Sequence, residues 1–110
     1  MSESEIENDA ANPEGNGQKS SVFALSGRLD AVSVPQWESE VLALADQSDV
    51  VLDLGEVAYM SSAGLRMILR LAKRLDERRE SLRLVKVQPP VYQVLEMSGF
   101  LAFLTVEQAS

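Results

Sequence analysis

Ser61 and Ser62 are the residues of this chain best placed to do chemistry. They lie in Tyr59-Met60-Ser61-Ser62-Ala63-Gly64-Leu65, where an apolar strand stops and an amphipathic helix begins. A helix leaves its first backbone N–H groups without intrahelical partners, so a hydroxyl at that seam has two uses. It can cap the helix, since Ser is a preferred N-cap. It can also be a modification site held at the positive end of the helix dipole. Residue types alone leave both uses open.

Other chemistries find less support. With no Cys there is no disulfide framework and no thiol nucleophile. With no His, the usual zinc sets and Ser-His-Asp catalysis are excluded. No G-x-x-x-x-G-K-[ST] or G-x-G-x-x-G loop is present to cradle a nucleotide. Asp30, Asp53 and Glu56 fall where strand ends and their loops converge at one sheet edge. Their spacing matches no metal-ligand signature, which makes a metal site or an acid–base pair the lesser reading. Asp53 sits at a strand end like the acceptor of a phosphoaspartate receiver, but Leu25-Ser26-Gly27 lacks the acidic companions such a site needs. Self-contained catalysis is not expected, and no cofactor is.

The 110 residues are 45% hydrophobic and 25% charged, which fits one ordinary globular domain with a modest core. No apolar run approaches the roughly 18 residues of a membrane span. The polar, acidic start resembles neither a secretory signal nor a transit peptide, and a cytoplasmic protein is expected. The net charge of −7 is unevenly placed. Glu3, Glu5, Glu7, Asp9 and Glu14 stand against Lys19 alone near the start. Between Arg66 and Lys86, eight basic residues outnumber Asp76, Glu77 and Glu80. An acidic whole argues against nucleic acid as the main partner, while the basic patch suits an acidic protein surface or is simply a solvated helix face.

Residues 1–20 are too polar to offset their ordering entropy and read as a disordered acidic tail, leaving a domain over 21–110. Val22–Ser26 is a plausible strand ended by Gly27. Ser33 and Gln36 have capping-box spacing for a helix that contains Val34, Trp37, Val41 and Leu44 and ends near Asp46. Val50–Leu54 reads as a strand covered on both faces. Leu82–Val87 alternates and is expected in a more exposed position. Pro89 and Pro90 open a short helix through Met97, Gly99 stops it, and Phe103–Val106 is a last strand. The fold class is α/β: about four strands in a small central sheet, with helices packed against it.

On the central helix, Leu65, Ile68, Leu69, Ala72 and Leu75 share one face, with Arg66, Arg70, Lys73 and Arg74 as a basic stripe beside them. Met67 and Leu71 lie on another face. Either a neighbouring helix covers them, or they form a partner-binding patch with the arginines as a steering rim.

Gly27-Arg28-Leu29-Asp30, Val51-Leu52-Asp53-Leu54, Tyr59–Leu65 and Met97-Ser98-Gly99-Phe100 occur in this order. Together they resemble the STAS domain of bacterial anti-sigma factor antagonists, over roughly residues 21–106. The family pattern around the seam is Asp-Ser-Ser/Thr-Gly-Leu, with phosphorylation of the Ser after the Asp. Aligned on Gly64-Leu65, the resemblance places the acceptor at Ser62, with Ser61 as second candidate standing where the Asp usually is. It implies a non-enzymatic partner switch. The unmodified protein binds an anti-sigma factor that is also a serine kinase, phosphorylation ends the binding, and a metal-dependent serine phosphatase restores it. The expected partner-facing set is Asp30, Ser61, Ala63, Gly64, Arg66, Met67, Arg70 and Leu71. The free protein is expected to be a monomer that contacts neither nucleic acid nor membrane. A non-switching STAS scaffold in a signalling or lipid-transport assembly is the alternative. Two departures stand out: the family usually has a strand before the one at Val22, and its closing helix is here reduced to Glu107–Ser110.

Overall fold

The longest strand runs over Asp49–Met60, well past the apolar stretch Val50–Leu54 that announces it. A computed structural model describes residues 20–109; Ser20, the last residue of the expected tail, is the first of a strand, and the rest of that tail and any strand within it lie outside the described residues. The element order is β1 (Ser20–Leu29), α1 (Val34–Ala45), β2 (Asp49–Met60), α2 (Ser62–Glu77), β3 (Leu82–Val87), α3 (Pro89–Met97), a 3-10 turn (Phe100–Ala102) and β4 (Thr105–Gln108). The four strands form one sheet in the order β1-β2-β3-β4, every neighbouring pair parallel. Parallel neighbours require crossover connections, which the three helices supply.

β2 extends because β1 pairs along it from Ser20↔Asp49 to Leu29↔Met60, whereas β3 pairs with it only as far as Asp53↔Val85. Its second half, Gly55-Glu56-Val57-Ala58-Tyr59, has weak strand character of its own. Two register shifts, between Ala24 and Ser26 and between Gly27 and Arg28, each place one extra residue in β2. Such bulges re-aim side chains near the end of a strand. Gly27 accommodates the second with φ 81°, a backbone conformation that costs glycine little.

β3 is an interior strand, not the exposed one its alternation implies. Leu82, Leu84 and Val87 are buried while Arg83 and Lys86 are exposed, so the alternation reports a sheet with unequal faces. β4 begins two residues later than expected. Gly99, with φ 80°, ends α3 and starts the 3-10 turn that delivers it.

The buried core joins Leu25 and Leu29 of β1, Val50, Leu52, Leu54, Val57 and Met60 of β2, Leu84 of β3 and the inner residues of the three helices. On α2 those are Gly64, Met67, Ile68, Leu71 and Leu75. Met67 and Leu71 are fully buried, which removes both from the expected partner-facing set. The cause is α1, which packs beside α2, with Glu38 and Asp46 reaching Arg70 and Arg74 at 2.6 and 3.7 Å. Those ion pairs flank the two apolar residues. Leu65, Leu69 and Ala72 are in turn only half-buried. The buried stripe is therefore rotated toward α1 from the face expected.

Candidate functional site

The seam is built from two chain segments that β1–β2 pairing brings side by side. Ser61 is the N-cap of α2, with extended backbone (φ −96°, ψ −177°) and a hydroxyl that accepts from Ala63 N–H at 3.2 Å. The same hydroxyl donates to Leu29 C=O at 3.3 Å, and Ser61 N–H donates to that carbonyl at 2.9 Å. Its side chain is thus engaged on both sides in holding the helix start against β1.

Ser62 is different. It is the first residue of α2, exposed, and its hydroxyl makes no hydrogen bond among the described residues. The adjacent serines therefore differ: Ser61 caps, and Ser62 is exposed beside N–H groups favourable to negative charge.

Gly64 is buried against β1. A Cβ there would lie 2.9 Å from Met60 Cγ, 3.0 Å from Leu29 Cβ and 3.1 Å from the Leu29 carbonyl oxygen. The first turn of α2 thus approaches β1 too closely for a side chain. Gly64 serves packing beneath the seam and does not face a partner. Ala63, half-buried, and Arg66, exposed, lie on the same first turn. Arg70 is one turn further on, its guanidinium paired with Glu38.

Asp30 follows directly on Leu29. Its Oδ1 accepts from Val32 N–H at 3.0 Å and Ser33 N–H at 3.1 Å, and its Oδ2 lies 3.4 Å from Arg28 Nε. The Ser33 N–H, aided by that of Val32 and by the Arg28 guanidinium, holds the carboxyl below its ordinary value against a smaller desolvation effect. This network replaces the expected capping box. Ser33 makes no side-chain cap; its hydroxyl accepts from Asp30 N–H and donates to Arg28 C=O, so Asp30 organises the turn. The three carboxylates do not gather. Asp53 accepts from Gly55 N–H at 2.9 Å and faces Lys86 Nζ at 3.6 Å, Glu56 is exposed, and no cluster of three metal-ligating side chains occurs among the described residues.

Two contributors at the seam escaped the sequence reading. Arg28 lies over the Tyr59 ring, 4.3 Å from its centroid, an arrangement created by their pairing across the second bulge. Val32, at the tip of the Asp30 loop, is 80% exposed. Arg28 was present in the motif Gly27-Arg28-Leu29-Asp30, but the strand pairing that places it on Tyr59 is not a local property.

A bulged parallel sheet, a helix-start serine pair and an organised loop beside it define a class. The STAS domain family model matches residues 10–110, and the chain belongs to that family. A protein of Bordetella bronchiseptica assigned as the anti-sigma factor antagonist BtrV is 40% identical over 87 residues, covering 77% of this chain and 75% of that protein. The anti-sigma F factor antagonist of Paenibacillus polymyxa is 28% identical over 88 residues, covering 77% and 75%. The structure of the anti-sigma factor antagonist SpoIIAA in its unphosphorylated form superposes with a TM-score of 0.69 over 84% of each chain; at 21% identity, that likeness concerns the fold.

Proposed function

We propose that this protein is an anti-sigma factor antagonist whose partner choice is set by phosphorylation of Ser62. In the unmodified state it binds an anti-sigma factor that is also a serine kinase and so frees a sigma factor. Phosphorylation by that kinase ends the complex, and a metal-dependent serine phosphatase restores it. The protein acts by binding and not by catalysis, in the cytoplasm and as a monomer when free. Among the described residues no helix is long and apolar enough to cross a membrane. Asp30, Ser61, Ala63, Arg66 and Arg70 contribute to the contact surface around Ser62.

The observation that carries this reading is the difference between the serines: Ser61 is committed to the fold, whereas Ser62 is exposed and its hydroxyl makes no hydrogen bond among the described residues. The 40% identity to an anti-sigma factor antagonist supports the choice of partner class.

Magnitudes explain why a phosphate there switches binding and spares the fold. A helix start stabilises a nearby anion by about 0.3–1 kcal/mol, so the dianion is tolerated locally. Against a docked partner the same charge must be desolvated without a prepared counter-charge, which costs several kcal/mol. About 3 kcal/mol already weakens a complex more than a hundredfold.

The test is affinity capture from native cytoplasm with phosphosite mapping of the recovered protein, repeated for variants. Ser62→Asp should lose the captured kinase more than about a hundredfold while its melting temperature stays within a few degrees. Ser62→Ala should remain permanently competent to bind. If position 62 is never esterified and Ser62→Ala changes no association, the protein is instead a non-switching STAS scaffold.

A further inference from the structure

The basic residues along α2 are not equally engaged. Arg70 pairs with Glu38 at 2.6 Å and Arg74 with Asp46 at 3.7 Å. Arg66 is exposed and makes no ion pair among the described residues. Lys73 is likewise unpaired, but it lies about two turns further on. Arg66 stands four residues after Ser62, and residues at that spacing are neighbours on a helix surface, about 5–6 Å apart at Cβ. Helical side chains lean toward the N-terminus, so a long side chain at position 66 covers the turn that carries the Ser62 hydroxyl. The first turn of α2 contains no acidic residue, and its positive end has no side-chain anion of its own. The other cation of the seam, Arg28, is held by the Asp30 carboxylate at 3.4 Å and by the Tyr59 ring. Along α2, Arg66 is therefore the basic residue nearest Ser62, and it has no carboxylate to hold among the described residues.

We propose that Arg66 changes partner when Ser62 is phosphorylated. In the unmodified protein its guanidinium meets an acidic group of the docked protein; once the phosphate is present, it turns back onto that phosphate within the same helix. The proposal rests on the reading of Ser62 as the acceptor and adds how the modified state is read. A guanidinium and a phosphate pair through two parallel N–H···O bonds, roughly twice as strong as neutral ones. The order is also the favourable one, because an anion four residues N-terminal to a cation is the better arrangement on a helix. Phosphorylation then acts twice. It replaces the single positive charge of residues 62–66 by a net charge of about −1, since a phosphoserine carries about −1.5 to −2 at neutral pH. It also withdraws the guanidinium from the interface. Both losses fall on the docked protein, while the helix gains an internal pair.

The experiment installs phosphoserine at position 62 of the full-length protein during biosynthesis, so that no kinase is needed, and follows the phosphate by ³¹P NMR through its second ionisation. That pKa, about 6 for phosphoserine, should lie about 0.4 lower with Arg66 in place than in Arg66→Gln, the shift expected of one ion pair at this spacing. Arg66→Lys should keep part of the difference. Lys73→Gln, the same loss of charge about three turns from Ser62, should leave the phosphate unmoved. Capture of the anti-sigma factor from native cytoplasm then reads the interface. Arg66→Gln should weaken capture of the unmodified protein about tenfold, and phosphoserine should cost that variant about tenfold less than it costs the parent protein. Equal second pKa values with and without Arg66, or an equal rise in Lys73→Gln, overturn the proposal. So do purely additive effects of Arg66→Gln and phosphoserine on capture. Each of these results leaves the Ser62 switch standing. Capture that ignores phosphoserine in both proteins overturns the switch itself, and this proposal with it.

Discussion

The two ends of α2 differ in what holds them and in what they leave open. At the start, the helix is closed by its own cap and by its contact with β1. Ser61 caps, Gly64 lets the backbone approach β1, and one exposed hydroxyl remains. Toward the other end, a groove between α2 and the start of β4, with Leu69, Ala72, Phe103 and Leu104 on its walls, is left half-covered, and Oε1 of Glu80 has no hydrogen-bond partner among the described residues. A helix start can be finished by residues adjacent in sequence, because its unsatisfied donors are adjacent too. A helix flank can be finished only by something brought from elsewhere in the chain or from outside it.

Substitutions sharpen that contrast, beginning with the largest effect. Leu71→Ala, in the buried stripe between α1 and α2, should cost about 2–5 kcal/mol in chemical denaturation, as large-to-small core changes do. The exposed Arg66→Ala should stay within about 0.5 kcal/mol. A mild Leu71→Ala would return that side chain to the surface and undo the burial described above. Gly64→Ala should destabilise by about 1–3 kcal/mol through overpacking against Leu29 and Met60, more than the helix propensity it gains. A rise in melting temperature would show that β1 yields easily.

Ser61→Ala should cost about 1 kcal/mol for the lost cap, while Ser62→Ala changes stability little. Equal effects of the two in thermal melts would erase the distinction between the capping serine and the exposed one.

The smallest effect belongs to Asp30. Because folding lowers its pKa, the stabilisation it provides is complete above the unfolded value of about 3.9. It is lost as pH falls through the lower folded value. Carboxyl NMR titration should place Asp30 below that reference, and Asp30→Asn should flatten the acid limb of the stability profile slightly. An unshifted titration would mean that the Val32 and Ser33 N–H bonds do not persist in solution.

The sequence was readable wherever structure is written locally. The start and length of α2 follow from Ser61 and the apolar spacing after it, and β3 and α3 from short, well-punctuated runs. Family membership was likewise legible in four short motifs taken in order. What escaped depends on distant partners. The second half of β2 is strand because β1 lies beside it, not because of Gly55 or Ala58. Met67 and Leu71 are buried because α1 lands on them, and helical periodicity alone could equally have left them to a partner. Ser33 carried the spacing of a capping box, but Asp30, three residues earlier, captured the free N–H groups first. The groove joins α2 to the start of β4 across some thirty residues of chain, and no pattern in either stretch announces it.

The paired irregularities of β2 constrain how this domain can vary. Two single-residue insertions leave the in-and-out parity of the strand where it would have been with none, so Met60 still points into the core when α2 begins. Losing only one would turn over everything downstream and swing the serine pair to the wrong side of the sheet. Between Ala24 and Arg28 of β1 the number of residues facing them in β2 is therefore as constrained as the burial of Val57 and Met60 that depends on it.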